Sequence, residues 1–409
     1  MKIWLINHYA VPPQYYPLAR PSLFAKNLIR MGHDVTIIAA STAHNSDKNL
    51  IEGREKVKKL TDDGIPYVLI KCTDYHGNGA KRVVNILEFA KKLPGVLNTL
   101  EKPDAIVATS FDPISCYEAI KYAKKHGIKA VAEIADLWPE TLVVYNGVNP
   151  RNPIVRYLRK LEKKIYTMAD AVVFTMEQAY DYIIDQGWEK EIPKEKVYYI
   201  NNGIDIKAFD KNIRLYTVQD KDLEDQETFK IIYTGAIRKV NNLGKLLDIA
   251  KNIRNPQIRF LIWGDGDELE SLEKRVSEEQ ITNVVFKGRV EKKYIPYITS
   301  RADVNFAHNE DSAIFRYGVS FNKLFDYLAA GKPIICDFKS NGNPVVTRHA
   351  GIELLGDSAA IAKGIDEMAN MPANAYDSYC KNARHTAEHE YDFEILTQKL
   401  FDILELISK

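Results

Sequence analysis

One stretch of the chain, Tyr317 to Cys336, combines residue types that suit an anion site. Asn322 and Lys323 stand just before an apolar helical repeat, and Leu324 belongs to the apolar side of that repeat. The free N–H groups at a helix N-terminus attract anions, and an adjacent lysine adds positive charge. Asp326 follows one turn later, within reach of whatever molecule carries the anion. The stretch therefore predicts a site for a phosphate-bearing ligand.

The second half of the stretch fixes the length of this helix. Gly331 stands where the end of a helix favours a positive φ, and Pro333 prevents the helix from continuing. Ile334 to Cys336 then reads as a short buried strand. We therefore expect a loop, helix, glycine and strand in that order.

Three further segments follow predicted strands and are rich in glycine or positive charge. Gly235 permits close approach of the main chain, and Arg238 can bind a diphosphate through two N–H groups. Gly264 and Gly266 suit a flat base or ribose lying against the backbone. Val290 closes the third segment, FKGRV. We expect these segments to face the same ligand as Lys323.

Strands and helices alternate along most of the chain, which predicts an α/β fold of two tandem Rossmann-like domains. We place an N-terminal domain at residues 1–200 and a C-terminal domain at 201–388. Residues 389–409 form an amphipathic helix that we expect to pack back on the N-terminal domain. Such folds bind ligands at the carboxyl ends of their strands, so a cleft between the domains is expected.

Two local features interrupt the alternation. Lys81 to Glu101 reads as a helix that Pro94-Gly95 should break. Asp210 to Thr228 is polar and lacks periodicity, so we expect a linker there. The loop after the first strand, HYAVPPQYYPLARP, is rich in proline and tyrosine.

The composition is that of a globular protein, with 45% hydrophobic and 27% charged residues in 409. The net charge of +1 argues against general nucleic-acid binding. The four cysteines show no metal-ligand spacing, which together with the lack of a signal peptide favours a reducing cytoplasm. No apolar run is long enough to span a membrane. The basic amphipathic segments 81–100 and 151–164 fit either an anionic inner-membrane surface or a solvated helix face.

Several motifs occur in a specific order across nearly the whole chain. The second half contains GAIR, GDG, FKGRV and NKLFDYLAAGKPII, and the first half contains GHDVTIIA, EIADLWPE and INNGID. In this order they resemble the GT-B fold glycosyltransferase family 4. The resemblance is to the bacterial branch that builds O-antigen and capsule repeat units, including enzymes of the N-acetylfucosaminyl transferase type.

The resemblance implies a reaction class, with residues 1–200 as the acceptor-binding domain and residues 201–388 as the nucleotide-sugar-binding domain. Such an enzyme moves a sugar from a nucleotide-diphosphate donor with retention of configuration. The donor here would be a UDP-sugar, and the transferred sugar would be an N-acetylated amino sugar. The acceptor is a hydroxyl of a saccharide or of a polyprenyl-linked saccharide used for surface polysaccharide. The resemblance implies no metal and no other cofactor, because cationic side chains and helix amides stabilise the leaving group. It also implies a cytoplasmic enzyme at the inner face of the plasma membrane.

The resemblance also assigns roles to individual residues. Arg238 and Lys323 would stabilise the diphosphate during catalysis, and Asp326 would accept hydrogen bonds from the ribose. Asn322 and Leu324, on either side of Lys323, would also bind the donor. Asp136 would orient or deprotonate the acceptor hydroxyl, or else cap the turn at Trp138-Pro139. The acceptor-binding residues would be Arg20, Trp138 and Glu140, with His8 either beside them or solvated.

The sequence departs from the family pattern at two positions. Gly318 stands where the first of two acids spaced eight residues apart is usual, and Glu310 or Asp311 is the candidate substitute. Asn242 stands where a lysine commonly follows the phosphate-binding arginine, so Lys323 takes that role.

Other functions remain open at this point. A nucleotide-sugar 2-epimerase also uses a GT-B fold, but no cluster of acids and histidines accompanies Asp326. A non-catalytic nucleotide-sugar-binding protein is the second alternative, and a Rossmann oxidoreductase is disfavoured because the G-x-G-x-x-G fingerprint is absent. Asp265 and Asp267 mimic a metal-binding DxD motif, but they lie in a glycine-rich loop of the second domain.

Overall fold

The computed structural model describes residues 1–16, 19–44, 46, 48–77 and 79–409. Pro17 and Leu18 of the proline-rich loop lie outside the described residues. The chain forms two compact units. Unit 1 comprises Met1–Asn201 together with Phe393–Lys409, and unit 2 comprises Asn202–Asp392.

Unit 1 is built on one sheet. Within the described residues its strands are β1 (Lys2–Ile6), β2 (Asp34–Ala40), β3 (Val57–Asp62), β4 (Ile65–Ile70), β5 (Ala105–Thr109), β6 (Lys129–Ile134), β7 (Ala171–Phe174) and β8 (Val197–Tyr199). Their order across the sheet is β3-β4-β2-β1-β5-β6-β7-β8. Neighbouring strands are parallel except β3 and β4. The central strands are almost wholly apolar, because a parallel sheet is covered on both faces.

The helices of unit 1 follow the strands as the alternation predicts. They are α1 (Ala19–Arg30), α2 (Ala80–Leu97), α3 (Pro113–His126), α4 (Glu140–Asn146), α5 (Pro153–Met168) and α6 (Ala179–Asp185). Helix α3 packs against both α2 and α5. Asp112 caps α3 by accepting a hydrogen bond from the Ser115 N–H at 2.7 Å, and Gly127 ends the helix with a φ of +61°.

The hairpin β3–β4 was not predicted from the sequence. It turns at Asp63 and Gly64, whose φ values are +47° and +78°. Two consecutive residues with positive φ are typical of a tight two-residue hairpin, and Asp-Gly is a preferred pair for it. The Asp63-Gly64 pair, which stands between two segments with alternating apolar residues, is the sequence feature that could have predicted this hairpin. The sheet is therefore mixed at this edge.

The predicted break at Pro94-Gly95 is wrong. Helix α2 continues through Pro94 to Leu97, and the Asn98 N–H donates to the Pro94 carbonyl oxygen at 3.1 Å. Proline costs one hydrogen bond inside a helix, but Leu93 and Leu97 on either side are fully buried. Burial of these leucines keeps the segment helical.

Unit 2 contains a parallel sheet. In the described chain its strands are β9 (Phe229–Thr234), β10 (Ile258–Trp263), β11 (Val284–Gly288), β12 (Val304–Ala307), β13 (Ile334–Cys336) and β14 (Gly351–Glu353), in the order β11-β10-β9-β12-β13-β14. Its helices are α7 (Ile206–Leu215), α8 (Lys221–Glu224), α9 (Leu243–Asn252), α10 (Leu269–Glu278), α11 (Ile295–Ser300), α12 (Asn322–Ala329), α13 (Pro344–Thr347), α14 (Ser358–Ala369) and α15 (Ala373–Glu390).

The linker predicted at 210–228 is wrong in part. Helix α7 occupies its first residues and α8 its middle. Asp205 caps α7 by accepting a hydrogen bond from the Ala208 N–H at 2.8 Å, and Ile206 and Phe209 are buried. Asp210 forms an ion pair with Arg384 of α15 at 2.7 Å. The polar residues of this segment lie on the outer side of packed helices.

The predicted order of loop, helix, glycine and strand is confirmed in α12 and β13. Gly331 has a φ of +62° immediately after the helix. Phe325, Leu328 and Ile334 are fully buried. The Tyr327 hydroxyl accepts a hydrogen bond from the Thr234 N–H at 2.8 Å, which ties α12 to the end of β9.

The C-terminal helix α16 (Phe393–Ser408) packs against α1 in unit 1. Leu396, Leu400 and Leu404 are buried at a spacing of four residues, and the ring of Phe393 contacts that of Phe24 edge to face. Among the helices of the described residues, none combines the length and the hydropathy needed to cross a bilayer.

Candidate functional site

The loops that follow β9, β10 and β11 are joined by main-chain hydrogen bonds at the carboxyl edge of the unit 2 sheet. The Gly235 N–H donates to the Trp263 carbonyl oxygen at 3.0 Å, and the Gly264 N–H donates to the Gly288 carbonyl oxygen at 2.9 Å. These bonds extend the parallel pairing beyond the strands. The edge therefore offers a rigid main-chain surface, as ligand sites of open α/β sheets do.

Gly264 and Gly266 are required by the packing of these loops. A Cβ atom at Gly264 would lie 1.9 Å from the Gly235 carbonyl oxygen, and one at Gly266 would lie 2.0 Å from the Ile237 carbonyl oxygen. Both distances are far below van der Waals contact. The two glycines thus let one backbone lie against another, and their contact with a nucleotide stays a prediction.

Lys323 places a half-buried ammonium group beside the loop after β9. Its Nζ lies 3.2 Å from Tyr233 Oη and 3.3 Å from the His308 carbonyl oxygen. A Cβ atom at Gly235 would lie 3.3 Å from the same Nζ, so the glycine leaves room for the ammonium group. Across the described residues, no carboxylate lies within ion-pair distance of it. A partly buried cation with only neutral partners is suited to bind an anion.

The N-terminus of α12 lies beside this ammonium group. Phe321 provides no side-chain cap for it. Asn322 is exposed, and its Oδ1 accepts a hydrogen bond from Asn202 Nδ2 at 3.2 Å. Ser320 Oγ is buried and has no hydrogen-bond partner within the described part of the chain. Sequence reasoning did not single out Ser320, although its place just before the helix was the available signal.

Leu324 differs from its predicted role in donor binding. Its side chain is fully buried in a core cluster that includes Phe325 and Cys336. Its N–H group donates to the Phe321 carbonyl oxygen at 3.0 Å. Leu324 therefore packs α12 onto the sheet, and neither its side chain nor its N–H group is open to a ligand.

Asp326 is a buried carboxyl group, with 8% of its surface exposed. In the described residues it has no hydrogen-bond donor directed at it. Burial raises the pKa of Asp326 above its ordinary value, and the charge of Lys292 opposes this shift. Hydrogen bonds from ligand hydroxyls would compensate for the lost solvation of the carboxylate.

Arg238 and Val290 lie at the surface of the same loops. Arg238 is exposed, and no ion pair or hydrogen bond engages its guanidinium group within the described residues. Val290 is partly buried against the cluster that contains Trp263. Both positions are compatible with the predicted donor contacts, which stay predictions.

The two departures from the family pattern have structural counterparts. Gly318 has a φ of +110°, a conformation that residues with a side chain rarely adopt, so an acid there would be strained. Asn242 adopts a left-handed conformation with a φ of +47°, and its side-chain amide donates to Glu310. Asp311 is exposed, and its carboxylate accepts a hydrogen bond from the Ser312 N–H at 3.0 Å.

In unit 1 the predicted acceptor residues follow β6. Asp136 keeps an exposed surface, yet desolvation raises its pKa above the ordinary value. Trp138 is partly exposed, and its peptide bond to Pro139 is cis. Glu140 begins α4 and forms an ion pair with Arg159 at 2.5 Å. These predicted residues thus lie between the end of β6 and the first residue of α4.

Arg20 differs from the prediction that it binds the acceptor. It is 6% exposed, and its Nε donates to Glu133 Oε1 at 3.0 Å. Its terminal nitrogens donate to the carbonyl oxygens of Ile200 and Asn201. Arg20 therefore connects α1 with β6 and the end of β8, and we do not carry it into the proposed acceptor site.

His8 is a buried residue, so the alternative prediction that it is solvated is wrong. It is 2% exposed, and its Nε2 lies 2.7 Å from Asn85 Oδ1. The Asn85 amide group donates to Thr42 Oγ1 at 3.0 Å and to the Thr73 carbonyl oxygen at 2.6 Å. The Asn85 oxygen must therefore accept from His8, which leaves Nδ1 without a proton. Burial lowers the pKa of His8 to about 3, so the ring is neutral.

A metal centre was not predicted, and the described residues contain no group of three or more His, Cys, Asp or Glu side chains arranged to hold a metal ion. Asp265 accepts a hydrogen bond from the Gly266 N–H at 2.8 Å. A reaction without metal stays a prediction.

The chain has two α/β units, and the second carries cations and an uncapped helix at the carboxyl edge of its sheet. This architecture is that of the GT-B fold class. Residues 23–208 match the family model Glycosyltransferase Family 4, and residues 217–386 match the model Glycosyl transferases group 1. The two matches together cover most of the chain. The chain belongs to glycosyltransferase family 4.

Two curated relatives are similar over parts of the chain. One, named "Probable glycosyltransferase WbjE", from Pseudomonas aeruginosa, is 23% identical over 269 residues, which are 62% of this chain and 63% of WbjE. The other, TuaH from Bacillus subtilis (strain 168), is 24% identical over 187 residues, 44% of this chain and 43% of TuaH, and its name assigns it to teichuronic acid biosynthesis. The chain thus spans less than two thirds of either relative.

A solved structure resembles the whole chain. Anabaena HepE, solved in complex with UDP-glucose, has a TM-score of 0.65 and 14% sequence identity. The likeness covers 99% of this chain and 100% of HepE. At this identity the likeness concerns the fold.

Proposed function

We propose that this protein is a glycosyltransferase that moves a sugar from a nucleoside-diphosphate donor to a hydroxyl of a saccharide acceptor. One observation carries the proposal. The half-buried Lys323 ammonium has only the neutral partners Tyr233 and His308, and it lies beside the uncapped N-terminus of α12. A diphosphate is the ligand that this arrangement suits, since it would meet a cation and free N–H groups together.

The chemistry follows from the leaving group. A nucleoside diphosphate gains negative charge as the glycosidic bond breaks, and positive groups held in advance lower the barrier. Lys323 and exposed Arg238 would bind this charge, and Asp326 would accept hydrogen bonds from the ribose hydroxyls. Asp136, whose raised pKa increases its basicity, would orient or deprotonate the acceptor hydroxyl. Transfer with retention of configuration is part of the proposal.

The donor in the proposal is a UDP-sugar, because the similar structure of HepE was solved with UDP-glucose. An N-acetylated amino sugar is the candidate transferred group, since the motif order resembles transferases of that type. The acceptor is a saccharide or a polyprenyl-linked saccharide of a surface polysaccharide such as O-antigen or capsule. The teichuronic acid role in the name of TuaH supports this class of product.

We further propose that unit 1 binds the inner membrane surface through the start of α2. Val83, Val84 and Leu87 are about half exposed there. Lys81 and Lys91 are exposed on the same helix. Apolar side chains flanked by cations suit the headgroup region of an anionic bilayer.

The membrane proposal is tested by vesicle sedimentation. Leu87→Ser combined with Lys91→Glu should reduce binding to vesicles that contain anionic lipid. Lys92 is a poor choice for the test, because it already donates to the Lys71 carbonyl oxygen at 2.8 Å and to Glu88. Lys381→Glu, at an exposed position of unit 2, is the charge-matched control. If the wild-type protein stays in the supernatant, the proposal that the start of α2 binds the membrane is contradicted.

The transfer proposal is tested with a panel of UDP-, GDP- and dTDP-sugars and a lipid-linked saccharide acceptor. We expect nucleotide release that depends on the acceptor, and a product heavier by one sugar residue. The anomeric configuration of the product, read by NMR, tests retention. Conversion of the donor into a different free nucleotide sugar would instead identify an epimerase. Tight donor binding without turnover would identify a binding protein. Absence of nucleotide release from every donor would contradict transfer.

A further inference from the structure

His308 is a fully buried histidine at the end of β12, and both of its ring nitrogens are engaged. Nδ1 lies 2.6 Å from Asp337 Oδ2, at the end of β13. Nε2 lies 2.8 Å from the carbonyl oxygen of Asn242, at the start of α9. The ring therefore bridges two segments that leave the same edge of the sheet.

The two partners fix the orientation of the ring. A main-chain carbonyl can only accept a hydrogen bond, so Nε2 must donate to Asn242. Asp337 also receives the Asn309 N–H at 3.3 Å and lies 3.4 Å from the Lys245 ammonium, so its carboxyl group is itself held in place. The ring therefore cannot turn without losing the contacts of both nitrogens.

The same histidine is linked to both sides of the candidate diphosphate site. Asn242 has a φ of +47°, a conformation that asparagine tolerates better than most residues, and the bond from Nε2 holds its carbonyl in place. The His308 carbonyl oxygen lies 3.3 Å from Lys323 Nζ. His308 thus holds the loop after β9 through its ring and contacts the Lys323 ammonium group through its own carbonyl oxygen.

We propose that His308 is a positioning residue that acts through Asn242 and Lys323 to hold the diphosphate-binding surface of the donor site. This inference rests on the proposed function, because the diphosphate belongs to the proposed donor. His308 does not touch the ligand itself. Its effect is to hold the start of α9 and the Lys323 ammonium in the geometry that they need when the anion binds.

Nucleotide binding tests the proposal with UDP as the probe and calorimetry of the full chain as the readout. Gln in place of His308 cannot donate to two acceptors on opposite sides, so His308→Gln should weaken UDP binding at least about tenfold. Asp366→Ala is the matched control. It removes a carboxylate that accepts hydrogen bonds from the N–H groups of Arg254 and Asn255, in the loop before β10. It should lower the melting temperature without changing UDP affinity.

A second variant keeps the test decisive if His308→Gln does not fold. Asp337→Asn retains an oxygen that can accept from Nδ1 but replaces the carboxyl group by a neutral amide that holds the ring and Lys245 less firmly, so UDP binding should again weaken, by a smaller factor. Wild-type affinity in every folded variant at these two positions would overturn the positioning role. A wild-type protein that binds UDP, GDP and dTDP equally poorly would overturn the proposed function and the positioning role with it.

Side-chain NMR provides a readout that a merely structural role would not move. In nitrogen-15 NMR spectra of histidine side chains, the His308 signal is identified by its absence in His308→Gln. UDP should shift this signal in the wild type, because the ring is linked to the binding surface. A His308 signal that UDP leaves unmoved would contradict the proposal.

Discussion

The ammonium group of Lys323 lies over the ring of Tyr233, with Nζ 4.3 Å from the ring centre. The ring face attracts the cation, and the phenolic oxygen at 3.2 Å adds a neutral hydrogen-bond partner. Neither interaction neutralises the charge. Tyr233 thus holds the ammonium in position without removing its affinity for an anion.

Replacement of Lys323 and of Tyr233 should distinguish the charge of the ammonium group from the interactions that hold it in position. Lys323→Met removes the ammonium and keeps most of the side-chain volume, so kcat/KM for the donor should fall about 10- to 100-fold, the usual worth of a hydrogen bond to a charged group. Tyr233→Phe keeps the ring under the ammonium and loses only the hydroxyl, so a change below about threefold is expected. Initial rates at varied donor concentration measure both. Equal kcat/KM in Lys323→Met and wild type would contradict a role at the diphosphate.

Asp326 should make donor binding sensitive to acid. Burial raises its pKa, so the carboxylate is protonated at higher pH than an ordinary aspartate. The ionised form accepts hydrogen bonds better than the protonated one, so the donor KM of the wild type should rise as the pH falls on the acid side of neutrality. Asp326→Asn should show a KM raised about tenfold at neutral pH and nearly independent of pH. A wild-type KM in Asp326→Asn would mean that the ribose binds elsewhere.

The glycines of the loop after β10 should be needed for stability even without ligand. Gly264→Ala would place Cβ 1.9 Å from the Gly235 carbonyl oxygen, so the two loops must separate, and we expect a loss of about 2 kcal/mol or more. Gly244→Ala is the matched control, since a Cβ atom there would meet nothing closer than 3.5 Å and alanine favours helix. Chemical unfolding measures both. An unchanged free energy of unfolding in Gly264→Ala would refute this packing.

The sequence predicted the parts of the fold that are specified by local patterns. Helix α12, the positive φ of Gly331 and the strand after it follow from apolar spacing, a glycine and a proline within about 15 residues. The glycine loops were predicted as loops, but the reason for Gly264 was not, because it depends on a backbone segment about 30 residues away.

The features that sequence reasoning missed depend on contacts distant in the chain. Arg20 looks like a loop cation, but it is bonded to Glu133 and to the end of β8, which no local pattern reveals. Pro94 reads as a helix breaker until the burial of the leucines on either side is known. His308 gives no signal at all in the sequence, since its two acceptors come from separate loops. Tertiary context overrides local propensity at each of these residues.

A buried acid in unit 1 should make stability depend on pH. Glu162 in α5 is 2% exposed and accepts hydrogen bonds from the hydroxyls of Tyr166 at 2.7 Å and Tyr182 at 2.9 Å. Burial raises its pKa from 4.5 to about 8, against the opposing effects of the two tyrosines and the Arg159 charge. The folded state therefore favours the protonated acid.

The sign of the effect follows from this shift. The stabilisation is fully present below the unfolded pKa of 4.5 and is lost as the pH rises through about 8, so the free energy of unfolding should fall over this range by up to about 4 kcal/mol. Glu162→Gln can still accept a hydrogen bond from a tyrosine and cannot ionise, so its stability should fall much less between pH 5 and pH 9. Glu189→Gln, at an exposed position of unit 1, is the control and should follow the wild type. Urea unfolding at the two pH values measures the difference, and parallel losses in wild type and Glu162→Gln would show that the carboxyl group is already ionised in the folded protein.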